Sequence, residues 1–284
     1  MSIVVTGATG HLGKFVIEGL LEKVPADQIT AVVRNEEKAA GFAARGVKIA
    51  VADYNAPETF DGLFSAGDKV LLISGSEVDK DRAAQHKIVI DAAKAADVAL
   101  LAYTSAPGSL TAALADDHRR TESTLLDSGV PYVLLRNGWY NENYTENLAP
   151  ALEHGAVVQA AGDGRLSTAS RADYAAAAVA VLTGEGHENT TYELGGDEPW
   201  GFAEYAAELS KQTGKEIAYS PVSVEAYTGI LTGAGLPGPL AAVLAGVDAS
   251  IEKGELVVST GDLSRLAGRP TTPLADAIAV AVKG

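Results

Sequence analysis

The 284-residue chain contains no cysteine. That absence excludes a disulfide framework, a thiolate zinc site, an iron–sulfur cluster and a cysteine nucleophile. Its five histidines, His11, His86, His118, His154 and His187, never fall at HxH or HExxH spacing, so no metal site is expected. Basic residues are the minority: 22 Lys and Arg stand against 37 Asp and Glu, a formal charge of −15. So acidic a chain lacks the basic stripe that phosphate backbones require, which argues against a nucleic-acid partner and against an anionic membrane surface. Long apolar runs are missing too. Ala175–Leu182 falls far short of the roughly 20 residues that span a bilayer. The N-terminus, MSIVVTGATG, reads as a strand and a turn rather than a basic stretch before an apolar one. A cytoplasmic protein is the expectation.

What is present is an apolar fraction of 47%, enough for a sizeable core without staples. Short aliphatic runs alternate with helical stretches through the first half. Ser2–Val5, Ile29–Val33, Val47–Val51, Val70–Ile73, Leu100–Tyr103 and Tyr132–Arg136 have the continuous hydrophobicity of buried parallel strands. Between them, Leu12–Glu22, Glu36–Ala44, Pro57–Phe64, Asp79–Ala96 and Asp116–Ser128 read as helices. The alternation predicts an α/β fold with a doubly wound parallel Rossmann sheet. After Arg136 the rhythm changes. A helix at Arg171–Leu182 and strands at Val157–Gln159, Thr191–Leu194 and Glu216–Pro221 precede mostly helical sequence. Residues 1–136 are therefore expected to form the dinucleotide-type domain, with the Arg171–Leu182 helix also packing on it. Residues 137–284 are expected to form mostly a smaller C-terminal α/β lobe.

The strongest chemical motif is Thr6-Gly7-Ala8-Thr9-Gly10-His11-Leu12-Gly13, directly after the first strand and opening an amphipathic helix. In that context Gly7 permits the tight turn, Gly10 lets backbone approach a pyrophosphate, and Gly13 allows close helix–strand packing. The helix N-terminus offers free N–H groups and positive dipole to phosphate. The second strand ends in Arg34 rather than an acid. A guanidinium there matches a 2′-phosphate bidentately, so NADPH is favoured over NADH. The alternative is a solvated strand-end arginine paired with Glu36 or Glu37. Asp53, after the third strand, either accepts from the adenine amino group or caps the next turn. Ser74-Gly75-Ser76 after the fourth strand suits the cofactor's ribose, and Tyr103-Thr104-Ser105 ends the fifth.

TGATGHLG, ADY, YTS and the run Leu134-Leu135-Arg136-Asn137-Gly138-Trp139-Tyr140-Asn141-Glu142-Asn143-Tyr144 resemble NmrA-like atypical short-chain dehydrogenases. Within that family they resemble the type 2 NAD(P)H:quinone oxidoreductase branch, with triphenylmethane reductases as relatives. The resemblance covers nearly the whole chain. It implies that Gly7, Ala8, Thr9, Gly10, His11 and Leu12 hold the pyrophosphate, Arg34 the 2′-phosphate, and Ser74, Gly75 and Ser76 the central ribose side. It further implies that Asn137, Gly138, Tyr140, Asn141 and Glu142 line the nicotinamide and substrate pocket, with Thr168 closing from the second lobe. Trp139 and Tyr140 could instead be core aromatics of the lobe junction.

One departure bears on mechanism. Short-chain dehydrogenases commonly use a Tyr and a Lys four residues later to move a proton, and no YxxxK occurs here; the corresponding positions are Leu114 and His118. Carbonyl–alcohol chemistry with a phenolic acid is thereby disfavoured. A quinone-like, electron-poor conjugated acceptor fits better, because hydride addition yields a stabilised anion that solvent protonates. The candidate catalytic residues are Asn137, Tyr140 and His118, the last either assisting proton transfer or lying idle on a helix. Two other readings stay open: reduction of triarylmethane dyes, and an NADP(H)-binding redox sensor without turnover. A hydrolase is unsupported, since no G-x-S-x-G elbow is present. A homodimer is possible on Ala-rich helix faces.

Overall fold

The computed structural model describes residues 2–77 and 80–283. Six strands arise where the aliphatic runs predict them: β1 (Ile3–Val5), β2 (Ile29–Val33), β3 (Lys48–Val51), β4 (Lys69–Leu72), β5 (Leu100–Ser105) and β6 (Tyr132–Asn137). Five more follow: β7 (Ala156–Gln159), β8 (Arg165–Leu166), β9 (Thr190–Leu194), β10 (Trp200–Gly201) and β11 (Ala218–Pro221). The main sheet has seven parallel strands in the order β3-β2-β1-β4-β5-β6-β9. This is the doubly wound order with one strand added at the β6 edge. β9 is therefore not a strand of the C-terminal lobe, as its place in the chain had implied. Its residues Thr190–Leu194 pair with Val133–Asn137 of β6.

The helices are α1 (His11–Leu21), α2 (Ala40–Ala43), α3 (Arg82–Ala95), α4 (Asp116–Ser128), α5 (Glu142–Thr145), α6 (Ala149–His154) and α7 (Arg171–Thr183). Then come α8 (Phe202–Thr213), α9 (Val224–Gly233), α10 (Gly238–Glu252), α11 (Asp262–Ala267) and α12 (Leu274–Lys283). Two expected helices shrink. Glu36–Ala44 is a 3₁₀ turn, Glu36–Ala39, running into the short α2, and Pro57–Phe64 is a 3₁₀ turn ending at Phe60. Neither segment carries enough apolar periodicity to hold more than a turn. The predicted helix at Asp79–Ala96 begins at a residue outside those described. α3 itself starts at Arg82, where the Asp81 carboxylate accepts from the Ala84 N–H at 3.1 Å.

Strand alternation divides the core. Ile3, Val5, Ala31, Val33, Leu71, Ala102, Val133 and Leu135 face α1 and α7, while Val4, Val32, Val70, Leu72, Leu101, Tyr103 and Leu134 face α3 and α4. Each aliphatic side chain taken fully out of water contributes about 1.5–3 kcal/mol, so both faces of the sheet are committed. α7 packs along α1, with Val179 in contact at Gly19. It starts sharply because Ser170 and Asp173 cap each other's N–H groups, each at 3.1 Å. α11 also packs on α7 and β9. The remaining C-terminal elements, with the β8–β10 and β7–β11 pairs, enclose a separate aromatic core of Trp200, Phe202, Tyr205, Leu209, Ile251 and Ile278. No helix among the described residues is long and apolar enough to cross a membrane.

Candidate active site

The C-terminal ends of the parallel strands open into a cleft of about 560 Å³. Its floor is the glycine loop. Gly7 adopts φ +61° and its carbonyl accepts from the Gly10 N–H at 2.9 Å, closing the turn. α1 then begins at His11 with no side-chain cap and no acidic residue in its first turn. The leading N–H groups of the helix are left for a ligand in the cleft. Gly7, Thr9, Gly10, His11 and Leu12 line the cleft. Ala8 does not. It is fully buried, and its N–H donates to Val32 O at 3.2 Å, so it ties the loop to β2 instead of facing a ligand.

One end of the cleft is charged. Arg34, Lys38, Asp53 and Glu77 line it together with Asn35, Asn55 and Gln85. Asn35 accepts from the Glu37 N–H at 2.8 Å and so starts the turn that presents Lys38. Asp53 accepts two hydrogen bonds from Asn55, from its N–H and its amide, each at 2.9 Å. The Asn55 backbone bond, aided by the Asn55 amide and by Arg34, outweighs partial burial and holds the Asp53 carboxyl below its usual range. Arg34 pairs with Glu77 at 3.3 Å, not with Glu36 or Glu37. Tyr54 closes the wall: its hydroxyl lies 2.5 Å from Thr6 Oγ1 and donates to Ile73 O at 2.7 Å. Burial pushes that phenol well above its ordinary pKa, so it stays protonated.

Ser74, Gly75 and Ser76 form the next wall, and their backbone is held from behind. The Gly75 N–H donates to His86 Nε2 at 2.9 Å, and Gly75 O accepts from Arg82 Nη1 at 3.3 Å. Arg82 and His86 are one helical turn apart on α3, so the helix grips both ends of one residue. Thr121 donates to Asp117 O at 2.7 Å, which leaves its oxygen to accept from His86 Nδ1–H at 2.9 Å. The His86 ring is therefore fixed as the neutral Nδ1–H form. Burial, with Arg82 alongside, pushes its pKa down to about 3.

His118 belongs to this buried network, not to the cleft. Its Nδ1 lies 2.8 Å from the Tyr103 hydroxyl, and burial plus Arg82 push it down to about 3. His118 is buried and does not line the cleft, so its position gives no support to a direct part in proton transfer there.

At the opposite end the cleft is bounded by Thr104, Tyr140 and Arg171. Tyr140 packs edge-on against Tyr174, and the Arg171 guanidinium sits 5.3 Å from the Tyr140 ring centre. Burial raises the Tyr140 phenol above its ordinary pKa. Asn137, at the tip of β6, is buried and its Oδ1 has no hydrogen-bond partner. Such an orphan acceptor carries a desolvation penalty that a bound donor would relieve. Of the NGWYNE run only Tyr140 lines the cleft; Asn137 and the others support the site from outside the lining. A Cβ at Gly138 would lie 2.9 Å from both Leu194 O and Tyr174 Oη, so Gly138 permits packing. Asn141 and Thr168 are buried partners: the Thr168 hydroxyl donates to Asn141 Oδ1 at 2.5 Å and accepts from Trp200 Nε1 at 2.7 Å. Glu142 accepts from the Arg171 N–H at 2.9 Å and thereby fixes the start of α7 beside Tyr140.

Lys38, Tyr54, Asn55, Glu77, Gln85, Thr104 and Arg171 line the cleft without having been singled out as ligand contacts. Tyr54, Asn55 and Glu77 follow strand ends and Thr104 sits at the end of β5, and the rule that α/β sheets bind ligands there would have found them. Gln85 and Arg171 lie on helices and reach the cleft by tertiary packing alone. The site's makeup fits a phosphorylated dinucleotide: an uncapped helix N-terminus and two cations, Arg34 and Lys38, at the charged end. Among the described residues no group of three or more His, Asp or Glu is placed to hold a metal ion.

Comparison with known proteins agrees with this geometry. Quinone oxidoreductase 2 of Escherichia coli (strain K12) is 49% identical over 278 residues, spanning 97% of each chain. The crystal structure of the NADPH-dependent E. coli quinone oxidoreductase complexed with NADPH matches with a TM-score of 0.95 at 48% identity, over 98% of this chain and 99% of that one. Citrobacter sp. triphenylmethane reductase complexed with NADP(H) matches with a TM-score of 0.93 at 42% identity, over 99% and 100% of the two chains. The NAD(P)H-binding family model covers residues 7–185, which is the stretch from the glycine loop to the end of α7 that builds the cleft, and the chain belongs to that family.

Proposed function

We propose that this protein is an NADPH-dependent oxidoreductase that passes hydride to quinones or similar electron-poor conjugated acceptors. The observation that carries the reading is the polarity of the cleft. Its Arg34–Lys38 end suits a 2′-phosphate, and its Thr104–Tyr140 end offers hydrogen bonds without a readily released proton. Near-full-length identity to quinone oxidoreductase 2 supports the same acceptor class.

NADPH, when bound, supplies the hydride. The α1 N-terminus and the glycine loop would hold the diphosphate, Arg34 and Lys38 the 2′-phosphate, and the Ser74–Ser76 wall the ribose side. Asn137 would accept a hydrogen bond at the nicotinamide end, and Tyr140 would orient the acceptor against it. Hydride addition converts a neutral quinone to a hydroquinone anion, which takes its proton from water. Catalysis then rests mainly on orientation. The acceptor needs no Tyr–Lys pair, consistent with the neutral, buried His118. Cationic triarylmethane dyes are a second acceptor class, favoured by the likeness to the Citrobacter reductase, because they too take hydride without a proton donor.

Loss of NADPH absorbance on mixing with p-benzoquinone tests the proposal, and saturable turnover is the expected result. Tight NADPH binding with no turnover on quinones or dyes would replace it with the sensor reading. Arg34→Ala is expected to raise the KM for NADPH by about 10- to 100-fold, the worth of one charge-assisted contact, and to leave that for NADH nearly unchanged. Equal effects on both cofactors would move the 2′-phosphate elsewhere. Asn137→Ala should lower kcat by about 10-fold, with a much smaller change in NADP⁺ affinity. The reverse pattern would make Asn137 a cofactor anchor and not a turnover residue.

A further inference from the structure

The charged end of the cleft contains a carboxylate that a 2′-phosphate must meet. The strand order puts β1 between β2 and β4, so the residues that follow β2 and β4 face each other across the glycine loop. Arg34 and Glu77 bridge that gap, Arg34 Nη1 lying 3.3 Å from Glu77 Oε1. Glu77 is not loose. Its other oxygen accepts from Gln85 Nε2 at 3.1 Å, and the buried Gln85 also donates to Asn55 Oδ1 at 2.9 Å. A buried amide, itself anchored to the β3 end, thus holds the carboxylate over Arg34. Among the described residues the ionised groups lining this end are Arg34, Lys38, Asp53 and Glu77, two of each sign.

We infer that Glu77 is a specificity-determining residue that competes with the nucleotide's 2′-phosphate for Arg34 and so limits the preference for NADPH over NADH. The inference rests on the cofactor reading above. A 2′-phosphate carries close to two negative charges and three acceptor oxygens, and it takes Arg34 only by displacing Glu77 or sitting beside it. Displacement is easy, because the pair is solvent-exposed and such pairs are weak. The repulsion between phosphate and carboxylate persists after displacement, since Gln85 keeps Glu77 near. A nucleotide with a 2′-hydroxyl makes no such demand and leaves the pair intact. Weakened binding of the oxidised cofactor also speeds its release, which limits turnover in many reductases.

Glu77→Gln tests this directly, because the amide retains an oxygen for Gln85 while losing the charge. Calorimetric titration should show NADP⁺ and adenosine 2′,5′-bisphosphate binding about 3- to 10-fold tighter than to the wild type, with NAD⁺ changing by less than about 2-fold. In an Arg34→Ala background the same substitution should lose the part of its gain that comes from freeing Arg34 and keep the part that comes from removing the repulsion. Equal shifts for NADP⁺ and NAD⁺, or weaker NADP⁺ binding by a variant that melts like the wild type, would overturn the inference and leave the cofactor reading standing. Wild-type protein that binds neither nucleotide would overturn both.

Discussion

Gly13→Ala is expected to weaken NADP⁺ binding by about 100-fold or more, a loss near 3 kcal/mol, and to lower the melting temperature. A Cβ on Gly13 would lie 2.3 Å from Gly7 O and 2.8 Å from Ala8 Cα. Both are backbone atoms, so no rotamer change relieves the clash. Gly7 O is already engaged by the Gly10 N–H at 2.9 Å, and Ala8 is fixed by its bond to Val32 O at 3.2 Å. The loop cannot yield without breaking its own turn or its tie to β2. α1 must move instead, carrying the His11 and Leu12 N–H groups away from the diphosphate position. Overpacking of this kind costs about 1–3 kcal/mol of stability, which for a chain of this size lowers Tm by roughly 3–10 °C. Gly10→Ala is the contrasting variant: its Cβ would meet Gly7 O at 3.1 Å, which a small shift accommodates. Calorimetry with NADP⁺ and differential scanning fluorimetry on both variants separate the loss of binding from the loss of stability. Wild-type affinity in Gly13→Ala would mean that the helix N-terminus is not where the cofactor's phosphates sit.

The features that could be read from the sequence are those whose cause is local. Five buried strands and the half-exposed edge strand β3 announce themselves as aliphatic runs, and TGATGHLG declares its turn because the helix it opens is adjacent. Arg34, Asp53 and Ser74–Ser76 could be found because parallel sheets bring successive strand ends to one edge. β9 escaped because nothing in Thr190–Leu194 says which strand it joins; the pairing with β6 is made across more than fifty residues of intervening chain. Glu36–Ala44 read as a helix because propensity exceeds what a segment with only Ala39 and Phe42 buried can stabilise. The NGWYNE run shows a different limit. Its resemblance marks the segment, yet only Tyr140 lines the cleft, while Asn137, Gly138, Asn141 and Glu142 lie outside the lining. That division follows from the lobe junction, where Thr168, Trp200 and α7 arrive from distant parts of the chain. Arg171 and Gln85 were illegible for the same reason. His118 shows how a titratable residue at a motif position is reassigned once burial is known.

Acid is expected to destabilise the fold well before its carboxylates are fully protonated. His86 and His118 both have pKa values pushed down to about 3 in the folded chain, against 6.5 when exposed. Below pH 6.5 the unfolded chain takes up protons that the folded one refuses, so stability falls progressively from about pH 6.5 towards pH 3. Asp248 works the other way. Burial raises it from 3.8 to about 6, so lowering the pH through that range favours the folded state. Two depressed histidines, each shifted further than this one aspartate, outweigh it. From these three groups alone the loss by pH 4 is on the order of 4 kcal/mol, a large share of a typical domain's 5–15 kcal/mol. Function should fail only as the folded fraction falls, because folded His86 stays neutral to about pH 3 and keeps accepting the Gly75 N–H that backs the Ser74–Ser76 wall. The measurement is the urea midpoint between pH 7 and pH 4, paired with NADP⁺ affinity at each pH. His118→Asn removes one of the two proton-refusing rings. It should be less stable than the wild type at pH 7, having lost the contact to Tyr103, yet lose far less of its stability between pH 7 and pH 4. An unchanged pH dependence in that variant would place the acid sensitivity outside the His86–Tyr103–His118 cluster.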